Sequence, residues 1–164
     1  MRTIFILLCI VTFSCSSRGG NNTLLENDTT LCVKYIAVHD TLYTINLIKE
    51  IKNDCSVCEY IYISQNGKHY CNIVLPSADD IKNFQVELMQ IKNILIIKAE
   101  WGGGKYYYYR TFYFMPLYGN LVLFKYDKES IMEDSEKKYF RVVDINPPIN
   151  IGKFNIMDYI ENEP

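Results

Sequence analysis

The feature that most constrains the fold is an Asn-Gly pair, Asn66-Gly67, which lies between two runs of β-prone residues. These two residue types tolerate the positive φ angles of a type I′ turn, so the pair predicts a two-residue hairpin loop. The flanking runs, residues 58–65 and 68–75, are rich in Tyr, Ile and Val and are expected to form its strands. A β-hairpin is therefore predicted near the middle of the chain.

Further runs extend this hairpin into a mainly β fold. The chain has 14 tyrosines and 8 phenylalanines, and aromatic residues favour strands. Pro147-Pro148 is expected to end the last strand, and a final helical turn is expected at residues 156–161. We predict an antiparallel sandwich or small barrel with at most one or two short helices, with strands at residues 31–38, 58–65, 68–75, 93–101, 106–114, 121–126 and 139–145.

Three segments allow more than one interpretation. Residues 41–52 fit helical spacing as well as strand alternation, and their β-rich neighbours favour a strand. Residues 77–92 include Ser77 and Asp80, which are spaced to cap a helix, but the later alternation of apolar and polar residues favours a strand. Residues 127–138 are charged and lack an apolar stripe, so we expect a surface loop or a short exposed helix.

The N-terminus has the features of a secretory signal. Arg2 supplies a positive charge, and residues 4–13 form an apolar run that is too short to span a bilayer. Ser14-Cys15-Ser16 follows, and a polar stretch rich in Gly, Asn, Ser and Thr comes after it. This arrangement resembles a bacterial lipoprotein signal and is similar to those of Bacteroidetes-type bacteria.

The resemblance implies that residues 1–14 are removed, that Cys15 carries the lipid and that residues 15–30 form a flexible tether. The acyl chains would hold the protein on a membrane, so we expect an exported, lipid-anchored protein of the cell envelope. Ordinary cleavage near residues 14–17, which leaves a soluble periplasmic or secreted protein, is the alternative. Residues 31–164 then form a single globular β-rich domain.

The net charge of the chain and the motifs that its sequence lacks argue against two classes of function. The 17 basic and 19 acidic residues give a net charge of −2, and this mild acidity argues against nucleic acid, whose backbone requires a basic surface. The sequence has no Gly-x-Ser-x-Gly, no His-Glu-x-x-His and no phosphate-binding glycine loop. We therefore expect a protein without enzymatic activity and without a cofactor.

Four cysteines remain after the signal and the lipid site, namely Cys32, Cys55, Cys58 and Cys71. An even number in an oxidising compartment predicts two disulfides. The expected hairpin register places Cys58 and Cys71 on one face about 13 Å apart at ~3.3 Å per residue, whereas bridged Cα atoms lie within ~7 Å. The same register places Cys55 farther still from Cys71, so we predict Cys32–Cys71 and Cys55–Cys58 bridges. A zinc site that adds His69 to three of these thiols is the less favoured alternative because export exposes thiols to oxidation, and we expect no metal.

Residues 106–114 carry aromatic side chains on both faces of one predicted strand. A strand needs only one apolar face when its sheet packs against the core on one side. The second face is therefore covered by another sheet or by the C-terminal tail, or it is exposed. If it is exposed, Tyr107, Tyr109 and Tyr113, together with Trp101, form a rigid amphipathic surface that suits a protein partner, with a glycan as a second candidate ligand.

These features together predict a non-catalytic binding lipoprotein of the cell envelope that has a protein partner. An immunity-type protein, which shields its host from a toxin, is one form of this hypothesis, since small exported β-rich proteins of that kind are similar to this chain in size and signal. The alternative is a structural or assembly component of the cell envelope.

Overall fold

The computed structural model describes residues 28–38, 40–51, 57–77, 79–133 and 138–160. The predicted signal, Cys15, Cys55 and most of the predicted tether lie outside this part of the chain. The described residues form two antiparallel sheets, one with the strand order β1-β2-β3-β4 and one with the order β5-β6-β7-β8-β9. The strands are β1 (Asp28–Val38), β2 (Thr41–Ile51), β3 (Val57–Gln65), β4 (Lys68–Val74), β5 (Gln85–Ile91), β6 (Ile94–Gly103), β7 (Tyr106–Leu117), β8 (Asn120–Met132) and β9 (Lys138–Asn150).

The two sheets enclose one hydrophobic core, as expected for a β-sandwich. Alternate residues of the strands face inward, and Ile45, Ile61, Phe112 and Phe114 are completely buried. The chain ends in two short 3₁₀ helices, Ile151–Lys153 and Ile156–Tyr159. Between them, the ring of Phe154 packs edge-on against Phe112 and Phe114, with centroid distances of 5.0 and 5.1 Å. The prediction of a mainly β sandwich with at most two short helices is confirmed.

The hairpin at Asn66-Gly67 is confirmed as well. Asn66 has φ 50° and Gly67 has φ 76°, the positive angles that the turn requires. The turn is also fixed to the neighbouring strand β2, because the backbone N–H of Asn66 donates to the Leu42 carbonyl at 2.8 Å. The Leu42 N–H in turn donates to the Asn66 side-chain oxygen at 2.7 Å.

The register of this hairpin differs from the prediction beyond its first two pairs. Ser64 is opposite His69, but Ile63 is opposite Cys71, so Tyr70 is an additional residue in a β-bulge. The bulge shifts every later pair by one residue and turns Cys71 toward the core, where it packs beside the buried residues. Cys58 and Cys71 therefore lie on opposite faces of the sheet, and the prediction that they share a face is wrong.

The predicted Cys32–Cys71 bridge is absent, because Cys32, Cys58 and Cys71 are all free thiols. Cys32 lies on β1 and Cys71 on β4, which are the two edge strands of the four-stranded sheet. Three strand spacings of ~4.8 Å separate them by about 14 Å, which exceeds the ~7 Å that a disulfide tolerates between Cα atoms. Cys55, the predicted partner of Cys58, lies outside the described residues.

Several strands are longer than the sequence predicts. β1 already begins at Asp28, within the predicted tether, and β8 continues to Met132 through the segment expected to be a loop. Cross-strand partners stabilise the charges in this part of β8, as in the ion pair between Glu129 and Lys138 at 2.8 Å. β9 continues past Pro147 to Asn150, but its pairing with β8 is interrupted between Asp144 and Ile149. An edge strand tolerates residues that donate no hydrogen bond.

The two ambiguous segments before this region are strands. Residues 41–52 contain β2, and residues 77–92 contain β5, so the favoured strand interpretation is confirmed for both. Ser77 and Asp80 form a turn in place of a helix cap. The hydroxyl of Ser77 donates to the Asp80 carboxylate at 2.7 Å, and this hydrogen bond lowers the pKa of Asp80.

Candidate binding face on the five-stranded sheet

The outward face of the five-stranded sheet carries three of the four predicted binding residues. Tyr107, Tyr109 and Tyr113 alternate along β7 with residues that point into the core, such as the fully buried Phe112. Tyr107 remains 38% exposed, and the other two tyrosines are half-buried. No second sheet of the described ranges lies over them. We call the outward side chains of β5 to β9 the tyrosine face.

Trp101 does not belong to this face, so the prediction that it shares one exposed surface with the tyrosines is wrong. It pairs with Tyr108 across β6 and β7, and both side chains point inward. Trp101 is only 3% exposed, its ring stacks on Tyr108 with a centroid distance of 5.7 Å, and the Arg110 guanidinium lies 5.1 Å from its ring centre. This arrangement buries Trp101 in a stack of aromatic and cationic groups at one end of the core.

The strand registers place charged residues on both sides of the tyrosines. Tyr109 lies between Glu100 on β6 and Glu129 on β8. Burial raises the pKa of Tyr109, and these two carboxylates raise it further. The phenol is therefore neutral at physiological pH and is available as a hydrogen-bond donor.

Tyr113 is held in place by two neighbours on β8. Its hydroxyl donates to the Asp127 carboxylate at 2.6 Å, and the Lys125 ammonium lies 4.2 Å from the centre of its ring. Burial and the hydrogen bond to Asp127 raise the pKa of Tyr113 to about 12. This end of the face is thus a closed polar cluster, whereas the end near Tyr107 and Tyr109 is more open.

The open end contains a cleft between β5, β6 and β7 with a volume of about 460 Å³. Its outward side chains are Gln85, Glu87, Lys98, Glu100, Tyr109 and Thr111. A second hollow of about 290 Å³ shares three of these residues and extends the cleft to Tyr107. The cleft therefore has aromatic groups on one side and charged groups at its base and rim.

The tyrosine face has an excess of negative charge. Glu87 forms a long contact of 4.0 Å with Lys98, and Glu129 is paired with Lys138. Glu100 is exposed, and no lysine or arginine in the described ranges forms an ion pair with it. The outward registers carry more carboxylates than ammonium groups, with Glu87, Glu100, Asp127, Glu129 and Asp144 against Lys98, Lys125 and Lys138.

Sequence reasoning identified the tyrosines of this face but missed the residues of the cleft. Glu87, Lys98 and Glu100 alternate with buried apolar residues of β5 and β6, and that alternation is the signal that would have assigned them to the outward face. The same alternation groups Trp101 with Ala99 and the inward residues before it. The register between β6 and β7, which brings the charges beside the tyrosines, has no such local signal.

The fold and the face together define a two-sheet antiparallel β-sandwich with an aromatic, acidic outer surface. Comparisons with known proteins give no match, since no family model fits the sequence and neither a curated protein nor a solved structure is similar to the chain. Within the described residues, no helix has the length and apolar character needed to cross a membrane. The same residues contain no group of three or more metal-ligating side chains.

Proposed function

We propose that this protein is a non-catalytic binding protein of the cell envelope whose tyrosine face docks a protein partner. The observation that carries the proposal is the group of outward tyrosines, framed by carboxylates and beside an open cleft. Tyrosine is enriched in protein interfaces because it buries a large apolar ring and also offers a hydrogen-bonding hydroxyl. Large aromatic side chains that remain accessible on a sheet are typical of interaction surfaces.

The chemistry of the face favours a partner that presents lysine or arginine. The guanidinium group of an arginine can stack on Tyr107 or Tyr109 while it donates hydrogen bonds to Glu100. The excess of carboxylates attracts a basic surface during the encounter and repels an acidic one. A glycan, which would stack on the same rings, is an alternative ligand that depends less on charge.

The proposed location rests on the N-terminal sequence. A lipid on Cys15, followed by the polar tether, would hold the sandwich close to the membrane. An immunity-type protein fits this arrangement, since a small anchored domain with one docking face is sufficient to bind and block a toxin. In that form of the proposal, the partner is a basic surface of the toxin.

Affinity capture with matched charge variants tests the proposal. The full chain is used as bait in envelope extract in three forms, namely wild type, Glu100→Lys, and Asp40→Lys as the control. Asp40 is exposed in the turn before β2, on the other sheet, so this substitution makes the same charge change away from the tyrosine face.

We expect one stoichiometric protein to be captured by wild type and by Asp40→Lys and to be lost with Glu100→Lys. All three forms should have the same melting temperature, because exposed surface substitutions change stability little. Equal capture by all three forms, or capture that is lost with Asp40→Lys only, would contradict the proposal. Retention on a glycan array that survives Glu100→Lys would favour a glycan ligand instead.

A further inference from the structure

Three positively charged residues form one cross-strand row on the inner side of the five-stranded sheet. Arg110 on β7 is opposite Lys128 on β8, and Lys128 is opposite Arg141 on β9. Directly opposed residues of antiparallel strands point to the same side of a sheet, with Cβ atoms ~4.5–5.5 Å apart. Because Arg110 is buried on the side that carries the core, the other two residues point to that side as well. We call these three residues the cationic row.

The cationic row becomes more exposed toward the edge of the sheet. Arg110 is buried, Lys128 is half-buried, and Arg141 on the edge strand β9 is exposed. Like charges that are directly opposite destabilise a pair of strands, and burial makes each charge more costly to accommodate. A negatively charged group beside the row offsets both costs, so the row favours the binding of an anion.

The contacts of Arg110 fix the buried end of the row. Its Nε donates to the Tyr159 carbonyl at 3.2 Å, and its Nη1 donates to the Tyr109 carbonyl at 2.9 Å. The guanidinium also lies 5.1 Å from the centre of the Trp101 ring. These contacts orient the guanidinium, but carbonyl oxygens and an aromatic ring bring no full negative charge to the row.

The C-terminal segment lies on the same side of the sheet. The ring of Tyr159 packs edge-on against Phe112 and Tyr126, with centroid distances of 5.3 and 5.2 Å. Phe112 follows Arg110 by two residues on β7, and Tyr126 precedes Lys128 by two on β8, so both are same-side neighbours of the row. The second 3₁₀ helix therefore ends beside the cationic row, where its last carbonyl binds Arg110.

The sequence that follows this helix is acidic. The described residues end at Ile160, and the next residues in the sequence include Glu161 and Glu163. Consecutive Cα atoms are ~3.8 Å apart, so the Cα atom of Glu161 lies within ~7.6 Å of the Cα atom of Tyr159. Carboxylates accept strong, charge-assisted hydrogen bonds from guanidinium and ammonium groups. The chain thus supplies the complementary charge directly after the residue that binds Arg110.

We propose that the cationic row is a binding site for carboxylates and that Glu161 and Glu163 of this chain occupy it. Their ion pairs with the row would hold the C-terminal segment on the sheet and keep Tyr159 against the core. The site lies on the opposite side of the five-stranded sheet from the tyrosine face. The proposal is therefore separate from the proposed docking function.

Carbodiimide coupling of the full chain in mild detergent tests the contact directly. The reagent activates a carboxylate, an adjacent amine displaces the resulting urea, and an amide bond joins the two side chains without a spacer. Peptide mapping then identifies the linked residues. Lys125 is the internal control, because it lies on the same strand as Lys128 but points to the other side of the sheet. We expect Lys128, and not Lys125, to be linked to Glu161 or Glu163. A map in which Lys128 is linked to neither of them overturns the proposal.

Thermal unfolding tests whether the contact stabilises the fold. The variant Glu161→Gln/Glu163→Gln is compared with wild type and with Asp40→Asn/Asp79→Asn. This control removes two negative charges from exposed turns elsewhere in the chain. We expect only the first variant to melt at a lower temperature than wild type in low salt. The difference should shrink in about 1 M salt, where the Debye length falls to ~3 Å.

The substitution Lys128→Gln shows whether the row is the partner of the two glutamates. In this background, Glu161→Gln/Glu163→Gln should lower the melting temperature by less than in wild type, because part of the site is already lost. Arg141→Gln, at the exposed end of the row, serves the same purpose if Lys128→Gln does not fold. Equal melting temperatures of the glutamate variant and the Asp40→Asn/Asp79→Asn control in low salt overturn the proposal. None of these results depends on whether the tyrosine face binds a protein.

Discussion

The hydroxyl of Tyr113 on β7 donates a 2.6 Å hydrogen bond to the carboxylate of Asp127 on β8. The neighbouring Lys125 ammonium lies over the same ring, so the three side chains form one polar cluster on the tyrosine face. Burial and Asp127 raise the pKa of Tyr113 from 10.0 to about 12, which means that the folded state favours the neutral phenol. The stability that this preference contributes is fully present below pH 10 and is lost as the pH rises through 12.

An alkaline titration tests this relationship. We expect Tyr113→Phe to remove a tyrosinate absorbance step near pH 12 and to leave the rest of the tyrosinate titration unchanged. The variant should also lose less stability than wild type between pH 10 and pH 12, because it has no phenol at position 113 to ionise. A missing step near pH 10 in Tyr113→Phe would show that the hydroxyl is not held by Asp127.

The position of Trp101 gives a second prediction. Because it is the only tryptophan of the chain and is buried against Tyr108, its fluorescence should be blue-shifted and poorly quenched by iodide. Trp101→Ala should destabilise the fold by about 3–5 kcal/mol, as other large-to-small aromatic substitutions in cores do, and Trp101→Phe by less. Red-shifted, readily quenched emission from the folded protein would show that Trp101 lies at the surface and would contradict its exclusion from the tyrosine face.

The thiols give a third prediction. Burial raises the pKa of Cys71 to about 11, so the reactive thiolate is scarce at neutral pH and alkylation of this residue should be slow in the folded protein. Unfolding should abolish this protection, which peptide mapping after timed alkylation can measure. A Cys32–Cys71 disulfide in a non-reducing map would contradict the placement of these residues at opposite edges of the sheet.

The lipid anchor at Cys15 stays a prediction from the sequence, and substitution of this residue tests it. Cys15→Ala should abolish metabolic labelling with fatty acid and release the protein from the membrane fraction or stop its processing. Cys9→Ala, within the predicted signal, is the matched control and should change neither result. Unchanged membrane partitioning of Cys15→Ala would contradict a lipid anchor.

The sequence predicts most of the fold because the relevant signals are local. Asn66-Gly67 fixes a turn by its own backbone preferences, alternation of apolar and polar residues favours β5, and the β-rich neighbours of residues 41–52 favour β2. The bulge at Tyr70 has no comparable signal, since it depends on how β3 and β4 pack together. The predicted Cys32–Cys71 bridge failed for another reason, because no local signal shows that β1 and β4 lie at opposite edges of the sheet. β8 also extends beyond its predicted apolar run, and the charged Glu129 in this extension pairs with Lys138 on β9, which the sequence does not indicate.

The candidate site was predictable to a lesser extent than the fold. The tyrosines of β7 are visible in the sequence, but alternation alone cannot decide which of two aromatic faces is outward. That choice depends on the pairing of β6 with β7, which sets Glu100 beside Tyr109 and turns Trp101 inward with Tyr108.

Site-specific photo-crosslinking in the native cell envelope tests the central claim most directly. A photoreactive p-benzoylphenylalanine is placed at Tyr107 on the tyrosine face or, as the control, at Tyr118. Tyr118 is 90% exposed in the turn at the opposite end of β7. The account predicts that position 107 crosslinks to one distinct protein and that position 118 does not. Identical crosslinks at both positions, or none at position 107, would contradict a docking role for the tyrosine face.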